Sequence, residues 1–270
     1  MKKRPSFLQI IALGVLVIIA VGATLLMLPR TSDAEKDYPS IAMNILQELG
    51  ARDPTIVPKN RASDLGDNLV KNPATAITFN GTSYAFLNEE GEIIRIKRVE
   101  ELRTKKTGGA SESNFQSADS LKDYIEQNLV GSGYVLVDEH YFSEESQSLR
   151  YEKMLFPGAL DRYDYISVRI DTSLIELETF YKAESGFRLE KDKDMISEEE
   201  AIETACGILK TDEKIIETRL ATVKTNDYFK NSAGENELRL AYMISTADTI
   251  VYVDAYTGEV IGGDAYKALY

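Results

Sequence analysis

The chain has 270 residues with 31 basic and 44 acidic side chains, and its formal net charge at pH 7 is −13. Four of the basic residues and none of the acidic ones precede Thr31, so residues 31–270 carry a net charge of about −17. Such a negative surface repels the phosphates of nucleic acids and favours basic partners, so we expect no nucleic-acid partner. One cysteine and one histidine leave no internal disulfide and no zinc site built from several histidines.

The N-terminal region contains a long apolar run without a charged side chain, residues 7–28. A helix of about 22 residues spans roughly 33 Å, which matches the hydrocarbon core of a bilayer. Lys2, Lys3 and Arg4 precede the run, and acidic residues follow it, so the positive-inside rule places residues 1–6 in the cytoplasm. We therefore expect a single-pass protein of the cell membrane whose C-terminal portion is extracytoplasmic.

A cleaved signal peptide is the alternative interpretation of this region. The start is basic, and Val21, Gly22 and Ala23 resemble a small-residue cleavage site. The apolar run continues past this point to Leu28, which favours an uncleaved anchor. Both interpretations export the rest of the chain.

Residues 37–102 are predicted to form a small unit of one helix and an antiparallel meander. Pro39 suits the first position of the helix, and Gly50 offers its end. The dipeptide Asn80-Gly81 between two apolar runs is a strong hairpin signal. The apolar stripe of the helix consists of Ile41, Ile45, Leu46 and Leu49.

A second unit is predicted at residues 118–190, after a linker at residues 103–117 that is poor in apolar side chains. Ser117 can cap a helix that carries Leu121 and Ile125 on one face. Four runs rich in aromatic and β-branched residues follow the helix, and each is bounded by turn residues. This order again predicts a helix followed by a meander.

The third predicted unit covers residues 196–270. Its helix begins with Ser197 and Glu200 at the spacing of a capping box. Cys206 belongs to the apolar face of this helix, so we expect a buried structural thiol rather than a reactive one. The members of this face are Ile202, Ala205, Cys206 and Leu209.

Three places share the same local pattern, in which polar turn residues and a glycine lead to a resumed apolar run. They are residues 88–91, 183–186 and 254–258. A glycine with positive φ closes such a hairpin with a bulge. We interpret the pattern as a degenerate repeat of three units, although antiparallel proteins generally contain such turns. The predicted fold class is α+β, with an N-terminal transmembrane helix followed by helix-plus-antiparallel-meander units.

Two segments of the third unit carry a family resemblance. They are residues 196–202 at the helix start and residues 249–260, where a strand leads into Asp254, Thr257-Gly258-Glu259 and an apolar residue. From Ile196 to Gly262 the chain resembles the PepSY domain of metallopeptidase propeptides and bacterial envelope proteins. The resemblance implies a helix packed on a curved antiparallel sheet. For the family, it also implies a proposed role in holding or inhibiting peptidases.

No set of residues predicts catalysis or metal binding. His140 is the only histidine, and it lies in a predicted strand without a Ser-His-acid pattern around it. Asp192, Asp194 and Glu198–Glu200 could offer oxygen ligands to calcium, but they lack the glycine-bearing calcium loop. A solvated acidic helix start explains them better.

Two carboxylate pairs have the composition of a glycosidase site, namely Asp161 with Asp164 and Glu144 with Glu145. Such pairs are unavoidable among 44 acidic residues, so we expect no catalytic, cofactor or metal residues and no enzyme activity. Tyrosines near strand ends could form a protein-binding surface if they were exposed together. These tyrosines are Tyr163, Tyr165, Tyr181, Tyr228, Tyr242, Tyr252 and Tyr256.

The expected function is that of a non-enzymatic extracytoplasmic protein-binding module. A secreted peptidase or a cell-wall hydrolase that it inhibits or regulates is the expected partner. The alternative is an extracellular accessory protein that modulates a membrane sensor kinase through its anchor helix. A third hypothesis, an enzyme acting on wall polymers, requires Asp161 or Asp164 to line a deep pocket.

Overall fold

The computed structural model describes residues 38–57, 65, 67–70, 73–98, 113–190, 192–209, 213–229 and 236–265. The predicted anchor at residues 7–28 and most of the predicted linker, residues 103–112, lie outside this part of the chain. No helix within the described ranges combines the length and the apolar character needed to cross a membrane.

The described chain contains three α-helices and twelve strands. The helices are α1 (Tyr38–Glu48), α2 (Ala118–Ile125) and α3 (Glu198–Cys206). The strands are β1 (Thr55–Val57), β2 (Thr75–Phe79), β3 (Ser83–Leu87), β4 (Ile93–Lys97), β5 (Tyr134–Ser143), β6 (Ser146–Phe156), β7 (Ala159–Asp171), β8 (Glu176–Ala183), β9 (Glu217–Lys224), β10 (Leu238–Ser245), β11 (Thr249–Asp254) and β12 (Val260–Ala265).

All of these strands belong to one sheet, in the order β1-β2-β3-β4-β8-β7-β9-β10-β11-β12, with β6 beside β7 and β5 beside β6. The sheet is mixed, because Ala159 and Leu160 of β7 lie parallel to Leu220 and Ala221 of β9. The predicted fold class was therefore wrong. The described part of the chain forms one continuous mixed sheet with three short helices and contains no helix able to span a membrane, so it does not consist of a transmembrane helix followed by helix-plus-antiparallel-meander units.

The physical reason for this correction is the pairing between strands that are far apart in sequence. A separate meander would leave its edge strands with unpaired N–H and C=O groups. Here Arg95 of β4 pairs with Tyr181 of β8, and β7 pairs with β9. The alternation of apolar residues predicts strands but does not identify their distant partners.

The packing of the helices also crosses the predicted boundaries. Ala42 and Leu46 of α1 share one buried cluster with Leu121 and Ile125 of α2, and Phe180 of β8 lies in the same cluster. Removing this apolar surface from water stabilises the fold by about 25 cal/mol per Å². Because α1 and α2 bury their apolar faces in the same cluster, neither helix has a core of its own.

Helix α3 confirms the predicted capping box but not the predicted thiol environment. The Ser197 N–H donates to the Glu200 carboxylate at 2.8 Å, and the Glu200 N–H donates to the Ser197 hydroxyl at 3.2 Å. The fully buried residues of the helix are Ala201 and Ala205. Cys206 follows Ala205 about 100° further round the helix and is exposed, so the prediction of a buried thiol was wrong.

The three glycine turns have the predicted backbone conformation, with φ values of 79° at Gly91, 70° at Gly186 and 71° at Gly258. The hairpins that contain Gly91 and Gly258 each include a register shift, which confirms the predicted bulge. The prediction of a hairpin at Gly186 was wrong, because residues 184–190 form no strand.

Candidate functional site

A groove of about 490 Å³ lies between α1, the turn from β3 to β4 and the C-terminal end of α2. We call it the helix groove. Its rim carries Glu90, Glu92 and Lys182. Its apolar lining consists of Ile41, Ala42, Ile45, Ile93, Leu129 and Val130.

Helix α1 presents more apolar surface than the core can cover. Leu46 and Leu49 are buried as their spacing predicts. Ile41 belongs to the same predicted stripe but is 51% exposed, and Ile45 is only half-buried. Both isoleucines line the helix groove. An apolar groove that stays open to solvent indicates a binding site, although a single exposed isoleucine would not.

The opposite wall of the groove is formed where α2 changes its helical geometry. The residues Glu126–Val130 form a π-helical turn, and the Asn128 side chain donates to the Tyr124 carbonyl at 2.9 Å. Gly131 ends the turn with a φ of 77°. Turns of this kind are rare and occur frequently at functional sites. The turn brings Leu129 and Val130 to the groove.

The rim of the groove is polar and carries a net negative charge. Lys182 Nζ donates to Glu92 Oε2 at 2.6 Å, and Asn88 Nδ2 lies 3.2 Å from the same oxygen. The hydrogen bond from Lys182 is the main reason why the pKa of Glu92 lies below its usual range. Because Glu92 neutralises Lys182, the carboxylate of Glu90 is left as the net charge of the rim. This rim favours a cation next to an apolar group.

A second cavity, of about 330 Å³, lies between the chain around Gly186 and the turn from β11 to β12, which belongs to the segment that resembles the PepSY domain. Its charged side chains are largely paired with one another. Arg239 donates to Glu237 at 2.8 Å and to Asp254 at 3.2 Å. Lys193 lies 2.5 Å from Glu190. The Arg239–Asp254 ion pair joins β10 to the start of the turn, and we assign the cavity a structural role.

The carboxylate of Asp161 holds neighbouring strands together. It is 1% exposed and lines neither cavity. One oxygen accepts hydrogen bonds from the Thr222 hydroxyl of β9 at 2.7 Å and from the N–H groups of Tyr163 and Asp164. The other accepts the Ser185 hydroxyl at 2.5 Å. Asp161 therefore joins β7, β9 and the chain that follows β8.

The Asp164 carboxylate also accepts hydrogen bonds through both oxygens, and it lines neither cavity. The Tyr134 hydroxyl donates to one of its oxygens and Lys153 Nζ to the other, each at 2.6 Å. Burial, and then the hydrogen bond to Asp164, raise the pKa of Tyr134. The same carboxylate raises the pKa of Lys153. Asp161 and Asp164, which have the composition of a glycosidase pair but for which no catalysis was expected, therefore join strands.

The other nominated residues do not converge on a site. His140, Glu144 and Glu145 are exposed at the β5–β6 hairpin, where His140 Nδ1 lies 3.1 Å from Asp138. Asp192 is exposed, as are the other acidic residues near the start of α3. Within the described ranges, no three His, Cys, Asp or Glu side chains are grouped to hold a metal. Of the seven nominated tyrosines only Tyr228 is exposed; Tyr163, Tyr165, Tyr181, Tyr242, Tyr252 and Tyr256 are half-buried or buried.

The comparisons with known proteins identify a fold but no family. No protein-family model matches the chain, and no curated protein matches it. A solved structure, the C-terminal domain of YpeB from Bacillus megaterium, is similar with a TM-score of 0.51 and 14% sequence identity. The similarity covers 87% of this chain and 98% of that domain. It agrees with the PepSY resemblance at the level of the fold alone, so this chain shares its fold with the YpeB C-terminal domain.

Proposed function

We propose that the chain is a non-enzymatic, extracytoplasmic protein-binding module whose helix groove receives an apolar segment of a basic partner. The observation that carries the proposal is the half-exposed Ile41 at an open groove with an apolar lining. Partner proteins commonly anchor an aromatic or aliphatic side chain in such a pocket, which a polar rim then surrounds.

The chemistry of the partner follows from charge. Residues 31–270 carry a net charge of about −17, and the carboxylate of Glu90, which is part of that charge, lies at the rim of the groove. Such a surface steers a basic protein towards the site and repels acidic competitors. A secreted peptidase or a cell-wall hydrolase is the partner that we propose, since the PepSY resemblance implies this role for its family.

The hydrogen bonds of Asp161 and Asp164 support a non-enzymatic role, because both carboxylates already join strands. The location at the cell membrane, with most of the chain outside the cytoplasm, stays a prediction from the sequence. The alternative role, modulation of a sensor kinase, depends on residues 7–28, which lie outside the described part of the chain.

Replacing Ile41 with aspartate is expected to reduce the capture of the partner by about tenfold or more, because the change places a charge in the apolar contact. Ile56→Asp is the matched control, since Ile56 is 47% exposed on β1 and does not line the groove. The full-length chain and both variants are used to capture proteins from an envelope extract, and bound proteins are quantified by mass spectrometry.

We expect the wild type and the Ile56 variant to retain at least one basic protein. The Ile41 variant is expected to lose that protein. Circular dichroism checks that both variants remain folded. The proposal would be contradicted if all three chains retained every captured protein equally. It would also be contradicted if the wild type captured no protein above the level of the empty matrix.

A further inference from the structure

The sheet has three strands with an open edge among the described strands, namely β1, β5 and β12. An edge strand exposes unpaired N–H and C=O groups and is a template for a strand of another chain. Proteins usually shorten or cover such edges. Strand β1 is short, because it contains three residues.

The edge at β12 is covered by the chain that follows β9. The Asn226 side chain donates to the Gly263 carbonyl at 2.9 Å and accepts the Gly263 N–H at 3.0 Å. The Asn226 N–H also donates to the Ile261 carbonyl at 3.1 Å. The ring of Phe229 lies so close to Gly263 that an added Cβ would come within 2.2 Å of it. This edge is therefore occupied by groups of the same chain.

Strand β5 is the exception, since it has ten residues and pairs only with β6 among the described strands. The Met154 N–H donates to the Gly133 carbonyl at 2.8 Å, and Tyr134 lies opposite Lys153. The Gly133–Met154 pair is thus a hydrogen-bonded pair, and such pairs alternate with non-hydrogen-bonded pairs in antiparallel strands. Tyr134 and Leu136 therefore belong to non-hydrogen-bonded pairs, and their backbone N–H and C=O groups point away from β6 to the open edge.

The side chains of β5 are unusually exposed for an apolar strand. Tyr141 is 63% exposed, Phe142 is 59% exposed and Leu136 is 38% exposed. The guanidinium group of Arg169 already lies 4.7 Å from the centroid of the Phe142 ring. This contact already satisfies Phe142, so Tyr141 is the more exposed aromatic side chain that remains for a partner.

The charged side chains of β5 itself and of its hairpin turn are acidic, while His140 contacts Asp138 and Arg169 of β7 lies over Phe142. Asp138 is 55% exposed in its side chain, and Glu144 and Glu145 form the tip of the β5–β6 hairpin. A basic segment would meet complementary charges along this edge. A second copy of the chain would bring two acidic strands together, and like charges opposite each other destabilise a strand pair.

We propose that β5 is an interaction edge that accepts an extended, basic segment of a partner protein as an added strand. Backbone hydrogen bonds would provide the binding, and the exposed aromatic and acidic side chains would select the partner. This inference goes beyond the proposed function, because the added strand does not require the helix groove.

The test uses two synthetic peptides of about eight residues, one a Lys-Thr repeat and the other a Glu-Thr repeat. Their binding to the full-length chain is measured by fluorescence anisotropy, and the site is located by hydrogen–deuterium exchange. The Lys-Thr peptide is expected to bind and to protect the amides of β5, whereas the Glu-Thr peptide is expected not to bind.

Asp138→Lys is expected to weaken the binding of the Lys-Thr peptide by about tenfold, because the substitution reverses the charge at the edge. The matched control is Glu217→Lys, which changes the net charge equally at an exposed residue of β9. Ile41→Asp is expected to bind the peptide as the wild type does, which separates this inference from the helix groove.

Three results would overturn the proposal. The first is equal binding of both peptides, and the second is protection of amides elsewhere than in β5. The third is protection of the β5 amides in the absence of peptide that increases with protein concentration and accompanies a dimer mass. That result would assign the edge to a second copy of the chain. Circular dichroism of the Asp138 variant ensures that weakened binding does not result from unfolding.

Discussion

Replacing Arg95 with methionine is expected to lower the free energy of unfolding by about 3–5 kcal/mol, because it leaves a buried carboxylate without its cation. Arg95 Nε lies 2.8 Å from Asp67 Oδ2, and the two side chains are 9% and 3% exposed. The Tyr84 hydroxyl donates to the same oxygen at 2.8 Å. After the change, Tyr84 and the Leu69 N–H remain as donors, but Asp67 loses the cation that balances it among the described residues.

The loss is expected to depend on pH. Burial raises the pKa of Asp67, but hydrogen bonds from Arg95, Leu69 and Tyr84 outweigh it, so the pKa lies below its ordinary value of 3.8. A carboxyl group with a lowered pKa stabilises the fold above its unfolded pKa, and this stabilisation is lost as the pH falls through the folded pKa. The variant lacks the hydrogen bond and the charge of Arg95, which both lower this pKa, so the pKa of Asp67 is expected to be higher in the variant than in the wild type. The deficit is therefore expected to be largest at neutral pH and to shrink as the pH falls towards the lowered pKa of wild-type Asp67, which lies below 3.8.

Urea denaturation of both chains at several pH values measures this effect. Arg219→Met is the matched control, because Arg219 and its partner Glu217 are 61% and 46% exposed. The control is expected to lose less than about 1 kcal/mol. A similar loss in both variants, or a deficit in the Arg95 variant that does not shrink in acid, would contradict the burial of this ion pair.

Replacing Asp161 with alanine is expected to lower the free energy of unfolding by about 3 kcal/mol, because several donors around the buried carboxylate lose their acceptor. These donors are the hydroxyl groups of Thr222 and Ser185 and the N–H groups of Tyr163 and Asp164. Urea denaturation measures the loss, and hydrogen exchange should show that amides of β7 and β9 open first.

Two comparisons separate this structural role from a catalytic one. Asp161→Asn keeps the shape and an acceptor oxygen, so it is expected to recover part of the lost stability. Asp138→Ala removes an exposed carboxylate and is expected to change stability by less than about 0.5 kcal/mol. Unchanged stability of the Asp161→Ala variant would contradict the account, since a carboxylate kept for chemistry need not support the fold.

The sequence predicted the features that depend on neighbouring residues. Ser117 caps α2 and Ser197 caps α3, because a cap is formed within one helical turn. The Asn80-Gly81 hairpin forms between β2 and β3, and both residues have positive φ. Such features are encoded within a few residues and can be recognised without knowledge of the fold.

Features that depend on distant residues were missed. Strand β1 has three residues between Pro54 and Pro58, so it offered no periodic pattern, and its place is fixed by pairing with β2. The start of β7 is interrupted by Asp161 and Asp164, which are buried only because strands from elsewhere supply their partners. The strands of the three predicted units form one sheet for the same reason, because their pairing partners lie far away in the sequence.

The helix groove was also beyond prediction from the sequence. Ile41 has the same spacing as the core residues of α1, yet it is 51% exposed and lines the groove beside the π-helical turn that follows α2. Lys182 and Glu92, which form the rim, are separated by 90 residues. Cys206 shows the same limit, because a shift of one residue moves a helical side chain out of the buried stripe.

The central claim, that the groove binds a partner protein, is tested most directly by photo-crosslinking in living cells. Benzoylphenylalanine is introduced at position 41 of the full-length chain and, as a control, at position 56, which is similarly exposed on β1. The account predicts a discrete adduct with one basic protein from position 41 and its absence from position 56. No adduct at position 41, or the same adducts from both positions, would contradict it.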